Sequence, residues 1–222
     1  SGYIGSHLSK LLLESGKYHL TGLDKVRPRV QLHTQYIMDI TQPFVLQPEF
    51  DTIIHLAALV GFPICREKGE KESFDVNKRG TEIVIRNMEP HQYLLFGSTG
   101  SNYGEVLDIC TEETPLNPLS IYGKTKYEGE EKVRFHEKHI ILRTSWVFGV
   151  NGNNFLKAIS EGTYANEQIL NTSCEYTISN DLIIENDIRE LFIWFDEAHW
   201  TLDNWILDKE NYIKQFFMND NK

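Results

Sequence analysis

At 222 residues the chain has room for one large domain, or one domain with a small appendage, and 41% hydrophobic with 24% charged residues is the balance of a globular protein. No apolar run approaches the ~20 residues of a membrane span, no signal peptide opens the chain, and the widely spaced Cys65, Cys110 and Cys174 suit a reducing, cytoplasmic setting better than a disulfide framework. The net charge of −10 is uneven, because residues 1–159 carry 19 acidic and 18 basic side chains whereas residues 160–222 carry 13 and 4. That shift predicts a boundary near Gly162, with domains at 1–162 and 163–222, and the acidic balance argues against a nucleic-acid partner, which needs a basic face. The histidines are scattered and their one close pair, His136 and His139, has no cysteine nearby, so no metal site is expected.

The chain opens with Gly2 and Gly5, followed by apolar residues at Leu8, Leu11, Leu12 and Leu13, the spacing of a helix that ends at Ser15-Gly16. A short strand through Tyr18–Asp24 then ends in a carboxylate. Glycines at a helix start with an acidic residue about 20 positions later make up two thirds of a dinucleotide fingerprint. The glycines let backbone approach a pyrophosphate at the positive helix N-terminus, and Asp24 can accept hydrogen bonds from ribose hydroxyls. Such a fingerprint follows a buried strand, and no residues before Ser1 supply one, so the first strand is expected to be missing from the chain.

Gln35–Ile40 reads as a strand with Asp39 near its end, and Asp51–Ala58 as a continuous apolar strand of the kind buried in parallel sheets. The small Ala57 and Ala58 would let a ligand sit against the backbone. Apolar residues at Phe74, Val76, Ile83 and Val84 predict a helix over Phe74–Asn87, and Tyr93–Phe96 is another buried strand, running into a hydroxyl-bearing turn at Gly97-Ser98-Thr99. Beyond the proline-rich loop at 114–118 come a helix bearing Tyr122 and Lys126 and a strand at His139–Thr144. Strands alternating with helices predict an α/β fold built on a parallel sheet. Ligands of such sheets lie outside the carboxyl ends of the strands, and Asp24, Asp39, Ala57/Ala58, Ser98/Thr99 and Ser145/Trp146 all fall there.

Residues four apart share one face of a helix, so Tyr122 and Lys126 present a phenol and an ammonium to the same side. A nearby cation favours the phenolate and is expected to lower the phenol's pKa, making Tyr122 a candidate general acid or base. A hydroxyl from Ser98 or Thr99 would complete a clamp on a substrate oxygen.

Taken in order, Gly2-Tyr3-Ile4-Gly5-Ser6-His7-Leu8, Leu23-Asp24, Asp39-Ile40, His55-Leu56-Ala57-Ala58, Asn77 with Gly80-Thr81, Ser98-Thr99 with Tyr103-Gly104, Tyr122-Gly123-Lys124-Thr125-Lys126 and Leu142–Gly149 resemble the extended short-chain dehydrogenase/reductase family, specifically its nucleotide-sugar epimerases, dehydratases and reductases. The resemblance covers about residues 1–160. It implies a Rossmann-like doubly wound sheet holding NAD, with Gly2, Tyr3, Ile4, Gly5, Asp24, Asp39, Ile40, Leu56, Ala57, Ala58, Asn77, Ser98, Tyr122 and Lys126 on the cofactor. Asp24 favours NAD, while Arg27 and Arg29 leave NADP open. Tyr122 would be the acid/base, Lys126 would tune it, and Thr99 would bond the reacting sugar oxygen, with Ser101, Trp146 and Asn154 beside the substrate.

Gly100 and Ser101 stand where the family's dehydratases carry Asp-Glu, which argues against dehydration. Arg143–Trp146 and Gly152–Phe155 resemble the dTDP-4-dehydrorhamnose reductases, whereas Gly2–His7 and Pro118–Tyr122 resemble the epimerases. The expected function is thus an NAD-dependent nucleotide-sugar epimerase or 4-keto-reductase, with a homodimer as the family's usual assembly. A non-catalytic relative serving as a binding or structural subunit is the alternative. Asn180 replaces the arginine that meets the substrate diphosphate in the family, which loosens the substrate assignment and points to a small, acidic substrate region at 163–222.

Overall fold

The computed structural model describes residues 2–106, 110–145 and 147. The first helix, α1 (Tyr3–Glu14), starts from an extended Gly2 and leads into two short parallel strands, β1 (Thr21–Asp24) and β2 (Thr34–Ile37). A second parallel sheet follows from β3 (Thr52–His55), β4 (Tyr93–Thr99) and β5 (His139–Thr144), in the order β3-β4-β5. Between β3 and β4 run helix α2 (Phe62–Phe74), a π-helical turn (Asp75–Gly80) and helix α3 (Thr81–Arg86); between β4 and β5 lie a 3-10 turn (Gly100–Asn102) and helix α4 (Ile121–Val133). The α/β reading with parallel strands and crossover helices is borne out. Among the described residues no helix is long and apolar enough to cross a membrane.

Strand β4 is central because both of its edges are paired and its burial alternates along the pleat. Leu94, Phe96 and Val133 are fully buried and pack with Ile53, Ile85, Met88 and Ile141, joining all three strands to α3 and α4. Each such side chain contributes roughly 1.5–3 kcal/mol through burial. A second cluster of Ile40, Phe44 and Val84 gathers Leu23 of β1 and Ile53 of β3, so apolar contacts bridge the two sheets.

Several boundaries differ from the sequence reading. Residues 97–99 are strand rather than turn, since Gly97, Ser98 and Thr99 pair with Leu142, Arg143 and Thr144. Strand β2 ends at Ile37, which leaves Asp39 and Ile40 in the following loop. Helix α2 was not anticipated, because Arg66–Glu72 is a run of charged residues around Gly69 without an apolar stripe. It starts with Pro63 in its first turn, where a missing N–H costs nothing, and kinks at Gly69 (φ 83°). The expected helix at Phe74–Asn87 is instead the end of α2, the π-turn and α3.

Candidate active site

The site grows from how closely α4 approaches its neighbours. Ser120 caps the helix by accepting a hydrogen bond from the Gly123 N–H at 3.0 Å. A Cβ at Gly123 would lie 2.8 Å from the Ser101 carbonyl oxygen, and one at Gly129 would lie 3.0 Å from the Asn77 carbonyl oxygen and 3.2 Å from the Phe96 ring. Only glycine lets the helix lie this close to the 3-10 turn, the π-turn and β4. Gly104 contributes from the other side: at φ 73° its missing Cβ would sit 2.1 Å from the Asn117 carbonyl oxygen, where the chain passes under the turn on its way to α4.

This approach sets Tyr122 and Lys126 on one face of α4, with Thr99 at the end of β4 beside the phenol. Thr99 ends β4 with its hydroxyl accepting from the Ser101 N–H at 3.2 Å and donating to Ser101 Oγ at 3.2 Å, and the same hydroxyl faces the Tyr122 phenol. Lys126 is almost wholly buried, with Nζ 4.0 Å from the centroid of the Phe96 ring. Burial presses its pKa down to about 7, against the opposing pull of the Glu130 carboxylate. The Tyr122 phenol departs from expectation: its pKa is raised, not lowered, because burial penalises the phenolate more than the Thr99 hydrogen bond favours it, and the Cys65 thiol adds to the rise.

Behind this group lie two buried polar networks. Asn77, in the π-turn, accepts from the Leu59 N–H at 2.7 Å and donates to the Leu59 carbonyl and to Thr125 Oγ1, both at 2.9 Å, while Thr125 donates to the Tyr122 carbonyl. Asn77 therefore ties the loop after β3 to the first turns of α4. Thr81 donates its one hydroxyl proton to the Asn77 carbonyl at 2.7 Å, so the 2.9 Å bond to His55 must be donated by His55 Nε2. Burial and Lys126 lower the His55 pKa to about 3, and the ring stays neutral.

The second network centres on Glu130, which is fully buried on α4 and accepts from Ser98, Asn102 and Arg143. Glu130 and Asn102 were not singled out in the sequence. The available signal for Glu130 was its position four residues beyond Lys126, on the Tyr122 face.

The expected dinucleotide residues fall into two groups. Gly2 is extended, no side chain caps α1, and a Cβ at Gly2 would meet nothing within 4 Å, which leaves the first turn of the helix open. Tyr3, Ile4 and Gly5 are half-buried in that turn, and Leu56 wedges between the Gly5 and Gly97 backbones. Asp24 ends β1 and accepts from the Val26 N–H, and the half-buried Ala57 and Ala58 follow β3.

The rest are engaged inside the protein. Asp39 accepts from the Thr41 N–H and hydroxyl, which lower its pKa, and Ile40 is buried against the Gly80 backbone. Ser98 donates to Glu130, and the Asn77 amide bonds Leu59 and Thr125. Ser101 is half-buried in the 3-10 turn, whereas Trp146, Asn154 and the region 163–222 lie outside the described residues. The open helix start, the carboxylate ending β1 and the buried lysine fit a dinucleotide laid across the strand ends, from α1 to Tyr122.

The family model described as the RmlD substrate binding domain matches residues 1–172. A dTDP-4-dehydrorhamnose reductase of Aggregatibacter actinomycetemcomitans is 31% identical over 173 residues, covering 71% of this chain and 53% of that protein. A UDP-glucose 4-epimerase of Lactobacillus helveticus is 32% identical over 150 residues, covering 62% and 45%. Among solved structures, the UDP-glucuronic acid 4-epimerase from Bacillus cereus in complex with NAD superposes with a TM-score of 0.62 at 26% identity, covering 72% of this chain and 61% of that one. The chain spans about half the length of the two curated relatives.

Proposed function

We propose a function that proceeds from kinship: the chain belongs to the RmlD substrate binding domain family, as the motif resemblance implied, and its site is that of an NAD-dependent enzyme working on a sugar carbonyl or hydroxyl of a nucleotide sugar. The observation that carries this reading is the Thr99 hydroxyl at the carboxyl end of β4 facing the Tyr122 phenol, with Lys126 buried one turn further along the same helix.

When bound, the dinucleotide supplies a nicotinamide that gives or takes hydride. Thr99 and Tyr122 hold the sugar oxygen from two sides. In reduction, Tyr122 gives its proton to that oxygen as the carbonyl carbon gains hydride, and in oxidation it takes the proton back. The raised pKa leaves the Tyr122 phenol protonated at neutral pH, the form that gives a proton in reduction, and the likeness to a dTDP-4-dehydrorhamnose reductase over 71% of this chain favours the 4-keto-reductase over the epimerase. Lys126, buried one turn beyond Tyr122 on α4, would bond the nicotinamide ribose. Asp24 holds the adenosine ribose and favours NAD over NADP. The open first turn of α1 receives the pyrophosphate.

Two assays test this reading. Calorimetry measures NAD and NADH binding, and turnover is followed by NADH consumption with a dTDP-4-keto-sugar and by epimerisation of UDP-glucose. NADH oxidation with the keto-sugar is expected. Failure of the full chain to bind either dinucleotide would sink the proposal, and epimerisation without net NADH consumption would replace the reductase by the epimerase.

A further inference from the structure

Glu130 lies one helical turn beyond Lys126, so Tyr122, Lys126 and Glu130 succeed one another at four-residue steps along α4. A carboxylate with no exposure persists as an anion only where hydrogen bonds and an opposite charge surround it. Asn102 Nδ2 donates to its Oε1 at 2.6 Å, Arg143 donates from Nε to Oε1 at 3.0 Å and from Nη2 to Oε2 at 2.8 Å, and Ser98 Oγ donates to Oε1. Arg143 is held in turn by donating to the Tyr103 hydroxyl at 3.0 Å.

The origins of these donors matter more than their number. Ser98 immediately precedes Thr99 on β4, Asn102 closes the turn that follows Thr99, and Arg143 pairs with Ser98 across the sheet. Thr99 and Ser101 are thus bracketed by two side chains that end on one carboxylate, and that carboxylate sits on the helix carrying Tyr122 and Lys126. Resting on the reading of these residues as the reactive set, we propose that Glu130 is its positioning residue: one buried carboxylate fixes the Thr99 turn against α4 and places an anion one turn from Lys126.

The titratable and charged groups around Glu130, Lys126 and Tyr122 are Arg143 from β5, Tyr103 beyond the 3-10 turn, Arg134 at the C-terminal cap of α4, Cys65 from α2 and the neutral His55 from β3. Glu130 is the anion among them. Removing its charge leaves Lys126 easier to deprotonate, so any activity that needs the ammonium is lost at lower pH.

The test uses the full chain with Glu130→Gln and Glu130→Asp. The aspartate keeps the charge but draws it back by one methylene, so the pH profile should hold its place while kcat falls by about a hundredfold through misplacement, with KM for the sugar nucleotide within about threefold. The glutamine should lose kcat similarly and also shift the alkaline limb of its pH profile toward lower pH. Hydrogen exchange read by mass spectrometry should quicken at the amides of Ser101 and Asn102 in both variants, while those of Leu94 and Phe96 stay protected.

Wild-type kcat, an unmoved pH profile and unchanged exchange at residues 99–104 in the variants would overturn the proposal. If the glutamine variant does not fold, the aspartate variant decides by the kcat and exchange criteria. A wild-type chain inactive on every sugar nucleotide overturns the enzyme reading instead, and the exchange at Ser101 and Asn102 still decides whether Glu130 holds the turn.

Discussion

The two sheets of this molecule are built to different standards of order. Strands β1 and β2 are four residues each, none of their side chains is fully buried, and the expected ligand contact at Asp24 lies at an open strand end. Strands β3, β4 and β5 share a core in which Leu94 and Phe96 have no exposure, and buried hydrogen-bond networks centred on Asn77 and Glu130 lie against it. The contrast matches what the proposed function asks of each half. A binding edge works with backbone and one carboxylate presented to a ligand, whereas proton transfer needs hydroxyl and phenol held to within a fraction of an ångström. Burial also moves pKa values, and the two large downward shifts it causes, at Lys126 and His55, belong to the second sheet and its helices.

The largest expected effect lies at the reactive hydroxyl. Tyr122→Phe should lower kcat by about 10²–10⁴ while NAD binding, measured by calorimetry, stays near wild type. Loss of binding together with turnover would show that the two halves are not separable. Next, Phe96→Ala removes both the core of β4 and the ring beneath Lys126, and chemical denaturation should show a loss of about 3–5 kcal/mol.

Asp24→Ala probes the other half. It should weaken NAD affinity by about tenfold and change unfolding free energy by no more than about 0.5 kcal/mol. A stability loss as large as that of Phe96→Ala would erase the contrast between the sheets.

The smallest effect is a pH dependence. His55, with its folded pKa at about 3, stays neutral where the unfolded chain, with a histidine near 6.5, takes up a proton. The unfolded state therefore binds more protons between those values, and stability falls as the pH drops from about 6.5 toward 3. Melting curves of His55→Gln should lose less between pH 7 and 5 than wild type, by a few degrees.

How much was legible beforehand follows from the range of the interactions. Tyr122 and Lys126 share a face because a helix repeats locally, the buried strands show as apolar runs, and Gly2 with Gly5 marks a helix start; each signal lies within a few residues and survives in one dimension. Even α2 failed for a local reason, since its charged run around Gly69 has no periodicity to read. The direction of the Tyr122 shift was misjudged because spacing shows the ammonium nearby but not the depth at which both groups are buried.

What the sequence by itself determined is the alternation of strands and helices, the placement of Asp24 and Thr99 at strand ends, and the shared helix face of Tyr122 and Lys126. Only the tertiary structure decided that Ser98 and Asn77 bond within the protein, that His55 is neutral, and that a fully buried Glu130 gathers Ser98, Asn102 and Arg143. Those outcomes depend on burial and on partners 13 to 48 residues away in the chain. Desolvation and hydrogen-bond closure exist only once the chain has brought such partners together.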